Sequence, residues 1–353
     1  MRRLAIVLAG FIGASAAIAE ISVEHVIGKE FPGAYKHPAS ITEIGGKELY
    51  VAYYGGGGEY EDDSKVWGMR RAHDATGWSE PIVIADTPFL AEGNPVVWEA
   101  PDGVVWLFYV QRYGDTWSQS RIKGKISRDG AKTWSDNFIV AFEEGMMVRS
   151  RPITLLNGDY LLPVYHETGN DREKVGVDTT SLFLRFDPKT TVWSQSNKIF
   201  SRVGNLQPSP VQIDENYLIS YSRRGGDYEP TKDGFLVRSE SRDGGHTWSP
   251  GEDSEFPNPN AATDLIKLAN GHLVLAYNDN MNDRTPLTVA ISEDNGETWP
   301  HRRDIGTGEN TFAYPVLIQT ADGKIRLLYT TDERASVKLA TFDEADILGH
   351  TKP

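Results

Sequence analysis

Short apolar runs alternating with polar residues dominate the chain, as in Leu273 to Tyr277 and Ile325 to Tyr329, and no stretch carries a helical period. Such alternation is the signature of a half-buried strand. A turn followed by a strand of this kind recurs at Gly46, Gly103, Gly158, Asn216, Gly271 and Gly323, at intervals of 52 to 58 residues. Each interval has room for four short strands. The pattern therefore predicts an all-β chain of six four-stranded sheets set in a ring, a six-bladed β-propeller.

A second repeat has the same period. Ser241 to Trp248 and Ser292 to Trp299 both fit S-x-D-x-G-x-T-W, and Ser127 to Trp134 differs only by a glycine one place early. Trp78 and Trp193 mark two eroded copies. Within an octet the Ser and Asp side chains can bond nearby backbone, the Gly can take a positive φ, and the Trp can pack under the turn. Asp129, Asp243 and Asp294 are thus expected to build hairpins and to stay out of chemistry. The sixth repeat lacks an octet, so Ile21 to Ile27 is expected to pair with Val337 to Phe342 and close the ring.

Composition narrows the function. With 353 residues and no Cys, the chain has neither disulfides nor thiolate chemistry, and its stability must come from packing. A formal net charge of −14 makes nucleic acid an improbable partner. Arg2 and Arg3 precede an apolar run ending in Ala17, Ile18 and Ala19, the form of a cleavable export signal. Residues 1–19 are accordingly expected to be a signal peptide and 20–353 one propeller domain, secreted or periplasmic, without membrane insertion. Neither the scattered His residues nor the acidic loop has metal-ligand spacing, and no cofactor is implied.

Candidate chemistry follows from where the repeats converge. Near the start of the innermost strand stands an X-Pro pair: His37-Pro38, Asn94-Pro95, Arg151-Pro152, Gln207-Pro208 and Tyr314-Pro315, with Ala262 in the fifth repeat and Asp264 close behind. Proline there costs no ladder donor and fixes the direction of the side chain before it. So varied a set of polar residues around a channel points to a ligand site. The ends of the second strands add Arg112, Glu167, Arg223 with Arg224, and Asn278, and Arg284 lies in the next turn. Arginines gathered in an acidic protein point to a ligand bearing a carboxylate. The loop Gly55 to Asp63, with Glu59, Glu61 and Asp62, offers carboxylates for acid-base work.

These residues resemble the sialidase superfamily, whose members are six-bladed propellers carrying octets of this form as Asp-box hairpins. The resemblance extends over Gln207-Pro-Ser, Phe256 to Asn260, Tyr277-Asn278, Arg284 to Leu287 and Ala313 to Pro315. It implies an exo-acting glycoside hydrolase with Tyr314 as nucleophile, Asp62 as acid, and Arg223 and Arg284 on the sugar's carboxylate. The convergence of the repeats and the acidic loop add Glu59, Asn94, Arg151 and Asn278 as expected supporting substrate contacts. Two positions depart from the family. His37 stands where the first arginine of the clamp belongs, and Gln207 stands where a Glu takes the Tyr proton. Glu167 is the expected replacement base, and a uronic or keto-sugar acid fits as well as sialic acid. His37, titrating near its ordinary value of about 6.5, is expected to help the clamp only at lower pH. A uronate-directed lyase and a non-catalytic glycan-binding propeller are the alternatives.

Overall fold

The alternating segments form strands in a computed structural model that describes residues 21–172 and 174–351; the expected export signal, residues 1–19, lies outside them. Six sheets follow one another along the chain. The first four-stranded blade runs through Tyr35–Ile44, Glu48–Gly56, Lys65–Ala72 and Ile82–Ala85. Its successors open on Glu92–Glu99 in the second blade, Asn205–Gln212 in the fourth and Asp264–Lys267 in the fifth. The third blade differs. Its innermost position is split between Met146–Val148 and Ile153–Thr154, both paired with Tyr160–His166. Two single-turn 3-10 helices complete the regular structure of the described residues.

Ring closure takes the expected form. The sixth blade comprises Ala313–Gln319, Ile325–Thr331 and Ser336–Phe342, and the N-terminal strand Ser22–Ile27 adds to it antiparallel, with Ser22 opposite Thr341 and Ile27 opposite Val337. The two ends of the chain are thereby hydrogen-bonded into one sheet.

Between neighbouring blades lie the hydrophobic cores. Val274, Ala276 and Val289 of the fifth blade meet Leu317, Leu327 and Phe342 of the sixth. Tyr50, Ala52 and Val66 of the first meet Val97, Val105 and Leu107 of the second. Each such side chain contributes about 1.5–3 kcal/mol on burial. Near the axis, side chains bridge the blades where backbones do not pair. Ser40 Oγ accepts the Val97 N–H (3.0 Å), Ser209 Oγ accepts the Leu265 N–H (2.8 Å), and Asp264 accepts the Leu317 N–H (2.7 Å) and the Ser209 hydroxyl (2.7 Å). Buried backbone donors are satisfied in this way without a ladder.

The octets are turn devices. In all three, the Asp carboxylate accepts the Ser hydroxyl at 2.7 to 2.8 Å, the Thr backbone N–H at 2.9 Å and the Thr hydroxyl at 2.6 Å. The Thr133 side chain and backbone hold Asp129 below the usual carboxylate range. Their oxygens are therefore committed to the hairpin. Removing the closing strand by truncation to residue 30 is expected to lower the melting temperature by several degrees at least, because each lost kcal/mol moves Tm by about 2–4 °C even in domains somewhat smaller than this. An unchanged transition in differential scanning calorimetry contradicts closure by this strand.

Candidate functional site

What turns the X-Pro side chains toward one end of the channel, in four of the six blades, is a bulge at the start of the inner strand. Pairing slips across His37-Pro38, Asn94-Pro95, Gln207-Pro208 and Tyr314-Pro315. The residue before proline is Asn94 at φ 44°, Gln207 at φ 57° and Tyr314 at φ 53° in three of them. Left-handed backbone at a non-glycine residue costs on the order of 1–3 kcal/mol and persists where surrounding structure enforces it. Bulges re-aim side chains in this way next to active sites. His37, Asn94, Gln207 and Tyr314 accordingly line one pit at the centre of the disc, with Glu59, Glu167, Arg223 and Arg284.

Two blades depart from the proline series. In the fifth, the left-handed residue is Asn260 (φ 56°), two places before Ala262. Asn260 Oδ1 accepts the Arg223 Nε–H at 2.7 Å, so it supplies the polar side chain that Ala262 lacks. In the third, the inner strand is interrupted, and Arg151 falls in the gap. Arg151 lines a separate cavity with Trp98, Gln212 and Lys267, electrostatically coupled to Asp264, and does not reach the pit.

Tyr314 is the centre of the pit. Its hydroxyl receives Arg223 Nη1–H at 3.0 Å and Gln207 Nε2–H at 3.3 Å. The ring lies edge-on to His37, centroids 4.1 Å apart, with the Arg149 and Arg284 guanidiniums 5.0 and 5.8 Å from its own centroid. Burial pushes the phenol's pKa up, but the positive charges of Arg223 and Arg284 and the Gln207 bond outweigh it, so Tyr314 lies below its ordinary value of 10.0. A phenol held in this way is more easily ionised than a free tyrosine.

The arginines are held mainly by neutral partners. Arg223 spans Asn260, Gln207, Tyr314 and the Tyr228 hydroxyl (2.9 Å), while Arg284 Nη2 donates to the Asn260 carbonyl at 3.2 Å and reaches Tyr228 at 3.4 Å. Arg284 Nη1 is buried without a hydrogen-bond partner. A buried cationic donor without a protein acceptor at a pit wall is suited to receive an anionic group.

Glu167 lines the same pit. Desolvation raises its pKa to about 7, against the pull of Arg223 and with help from the charge of Glu59. It is thus divided between acid and base forms at neutral pH, as a proton-transfer group requires.

The acidic loop sends in Glu59 instead of Asp62. Glu59 accepts the Tyr35 hydroxyl (2.7 Å), the Arg334 Nη1–H (2.5 Å) and the Trp117 Nε1–H (3.4 Å). Asp62 is absent from the pit lining; its side chain is 71% exposed and pairs with Arg112 at 3.2 Å. Arg112 is buried and also donates to the Tyr60 carbonyl at 2.7 Å, so it anchors this loop and braces the pit-lining Tyr60 and Trp117 from behind without lining the pit itself. Asn278 is likewise structural. Its amide donates to the carbonyls of Phe312 (3.0 Å) and Pro286 (3.3 Å), bracing the approach to Tyr314 from outside the pit.

Pattern reasoning missed Arg334, Tyr228, Asn260, Trp117 and Arg149. Arg334 follows the second strand of the sixth blade, Ile325–Thr331, so the rule that found Arg112 and Arg223 reaches it when applied to that blade. His37 corrects the expectation of a titrating imidazole. It is buried, and burial with the charges of Arg334 and Arg284 depresses its pKa well below 6.5, leaving a neutral ring whose Nδ1 has no hydrogen-bond partner.

The sequence profile of the BNR repeat-like domain matches residues 47–327. The fold is similar to that of the NanB sialidase from Streptococcus pneumoniae, with TM-score 0.75 and 10% identity over 92% of this chain and 71% of that one. It is similar to the intramolecular trans-sialidase from Ruminococcus gnavus, with TM-score 0.75 and 13% identity over 93% of this chain and 98% of that one. An α-L-arabinofuranosidase from Fusarium graminearum matches with TM-score 0.67 and 12% identity over 93% and 99%. None of the curated proteins matches the sequence. At these identities the solved structures establish a shared fold.

A neutral His37 has a direct signature. Its imidazole resonances in NMR are expected to show no protonation step near pH 6.5, and a step there that disappears in His37→Asn contradicts the electrostatic picture of the pit.

Proposed function

The chain belongs to the BNR repeat-like family, and from that premise we propose that it is a glycoside hydrolase whose substrate ends in a sugar bearing a carboxylate. The observation that carries this reading is the contact of Arg223 with the Tyr314 hydroxyl at 3.0 Å beside the unpartnered Nη1 of Arg284. One positive field serves two purposes there. It attracts the anionic sugar, and it makes the phenol a better nucleophile toward the neighbouring carbon. A neutral phenol also avoids the repulsion that a carboxylate nucleophile meets beside the sugar's own charge.

In the proposed step Tyr314 Oη forms the bond to the anomeric carbon as the bond to the leaving oxygen breaks. The phenol proton passes to Glu167, directly or through water, and the leaving oxygen takes a proton from solvent water, which is left as hydroxide, so the aglycone departs as an alcohol. Water later cleaves the phenolic ether by the reverse route. Gln207 has no basic atom to offer; its amide donates to the Tyr314 hydroxyl and fixes that oxygen in place. We place Asn94 on the bound sugar's polar edge. We further propose export from the cytoplasm, on the strength of the residue 1–19 pattern; among the described residues no helix is long and apolar enough to cross a membrane.

A lyase is the second reading, favoured by one feature: the neutral His37 ring, with its free Nδ1, sits against Tyr314 among arginines that could neutralise a uronate. Ultraviolet absorbance of an unsaturated product separates the two chemistries.

The test is turnover on a panel of sialosides, ketodeoxy-sugar glycosides and uronate oligosaccharides, with products identified by mass. Release of a single terminal acidic sugar is expected, and loss on the order of 10³-fold in kcat for Tyr314→Phe. Full activity in that variant overturns the assignment. Because Glu167 must be ionised to accept a proton, kcat/KM is expected to rise with pH through about 7, and Glu167→Gln to abolish that step along with most of the rate. A profile flat across this range in the wild type contradicts the role of Glu167.

A further inference from the structure

Four arginines line the pit, and the three whose charges act on the His37 ring, Arg223, Arg284 and Arg334, are held differently. Arg223 and Arg284 rest on amide, carbonyl and phenol oxygens. Arg334 alone among them has a carboxylate partner in the described residues, Glu59, at 2.5 Å, with the Tyr35 hydroxyl at 3.2 Å. The side chains of this pair are 34% and 27% exposed, so solvent and ligand can reach both.

Arg334 is placed there at some cost. Asp332, Glu333 and Arg334 all have left-handed backbone, at φ 52°, 52° and 70°. Such positions persist only where neighbouring structure over-determines them. Asn310 braces Asp332 through its amide (2.8 Å) and through the Asp332 N–H (3.1 Å), and the Arg334 carbonyl accepts the N–H of Lys36 at 2.8 Å. The turn is thereby fastened next to His37, whose ring carries no charge. Arg334 brings a cation to the side of the pit where position 37 supplies none.

Resting on the hydrolase reading above, we propose that Arg334 is the residue by which this pit separates an anionic sugar from its uncharged counterpart, and that Glu59 is the counter-ion which the ligand displaces. The Glu59 carboxylate occupies the place assigned to the incoming one. Glu59 lies past the end of the strand Glu48–Gly56, after Gly57 and Gly58, so its side chain can swing off Arg334 without breaking the sheet. The incoming carboxylate takes over the donors on Arg334 and Tyr35 that Glu59 gives up, so one anionic acceptor is exchanged for another. The ligand gains Arg284 Nη1 at the same time.

The two halves of the pair then act in opposite directions on binding, which a purely structural pair does not do. Isothermal titration of the full chain with glucuronate and N-acetylneuraminate, each beside its neutral amide, reads this directly. Arg334→Met is expected to weaken the better-bound acid by about tenfold and leave the amide unchanged. Glu59→Gln, which frees Arg334, is expected to tighten the acid several-fold. Arg334→Lys should retain part of the preference for the acid, and melting temperatures report whether each variant is folded. If both variants weaken acid and amide alike while remaining folded, the proposal is overturned. If the wild type binds no sugar acid at all, the hydrolase reading fails and takes this inference with it; wild-type binding with unaltered discrimination in Arg334→Met defeats the inference alone.

Discussion

Six sheets meeting at an axis impose one constraint from which the rest follows: their innermost strands lie side by side without sharing a backbone ladder. Polar side chains must satisfy the groups that a ladder would have paired, as Ser40, Ser209 and Asp264 do. At the end of the channel that holds the pit four of the strands begin in bulges, and a different residue is turned inward from each of these. The fold thus keeps its interior satisfied at one depth and free to vary at another. Chemistry sits where the side chains are free to vary.

There, electrostatics decides what each group can do. The arginines that hold Tyr314 below its ordinary pKa, Arg223 and Arg284, also act with burial and Arg334 to keep His37 neutral, although the two rings are in contact. Desolvation and positive charge oppose each other at the phenol and act together at the imidazole. Glu167 shows a third balance, in which desolvation prevails over the attraction of Arg223. A nucleophile inclined to ionise, a neutral ring and a carboxyl poised near neutrality result from one set of charges.

Much of this was legible in the sequence because propeller repeats turn spacing into position. The interval between turns gave the blades, the missing sixth octet gave the closing strand, and the X-Pro series brought out His37, Asn94, Gln207 and Tyr314. The series failed where local backbone broke the register. Arg151 sits in the interruption of the third inner strand, and Asn260 takes the left-handed position two residues before Ala262. Asp62 and Glu59 are three residues apart, and which of them enters the pit depends on Arg112 and Arg334, contacts that spacing does not encode. Asn278 was placed correctly on its strand, but its amide turns to carbonyls.

The central claim is that a field of arginines holds the Tyr314 phenol below its ordinary acidity, and this can be measured without knowing the substrate. Spectrophotometric titration of phenolate absorbance is predicted to show one tyrosine ionising below pH 10, ahead of the others. That early step should vanish in Tyr314→Phe and move to higher pH in Arg223→Met. If no tyrosine ionises early, or the early step survives in Tyr314→Phe, the pit does not activate this residue and the account of its chemistry is wrong.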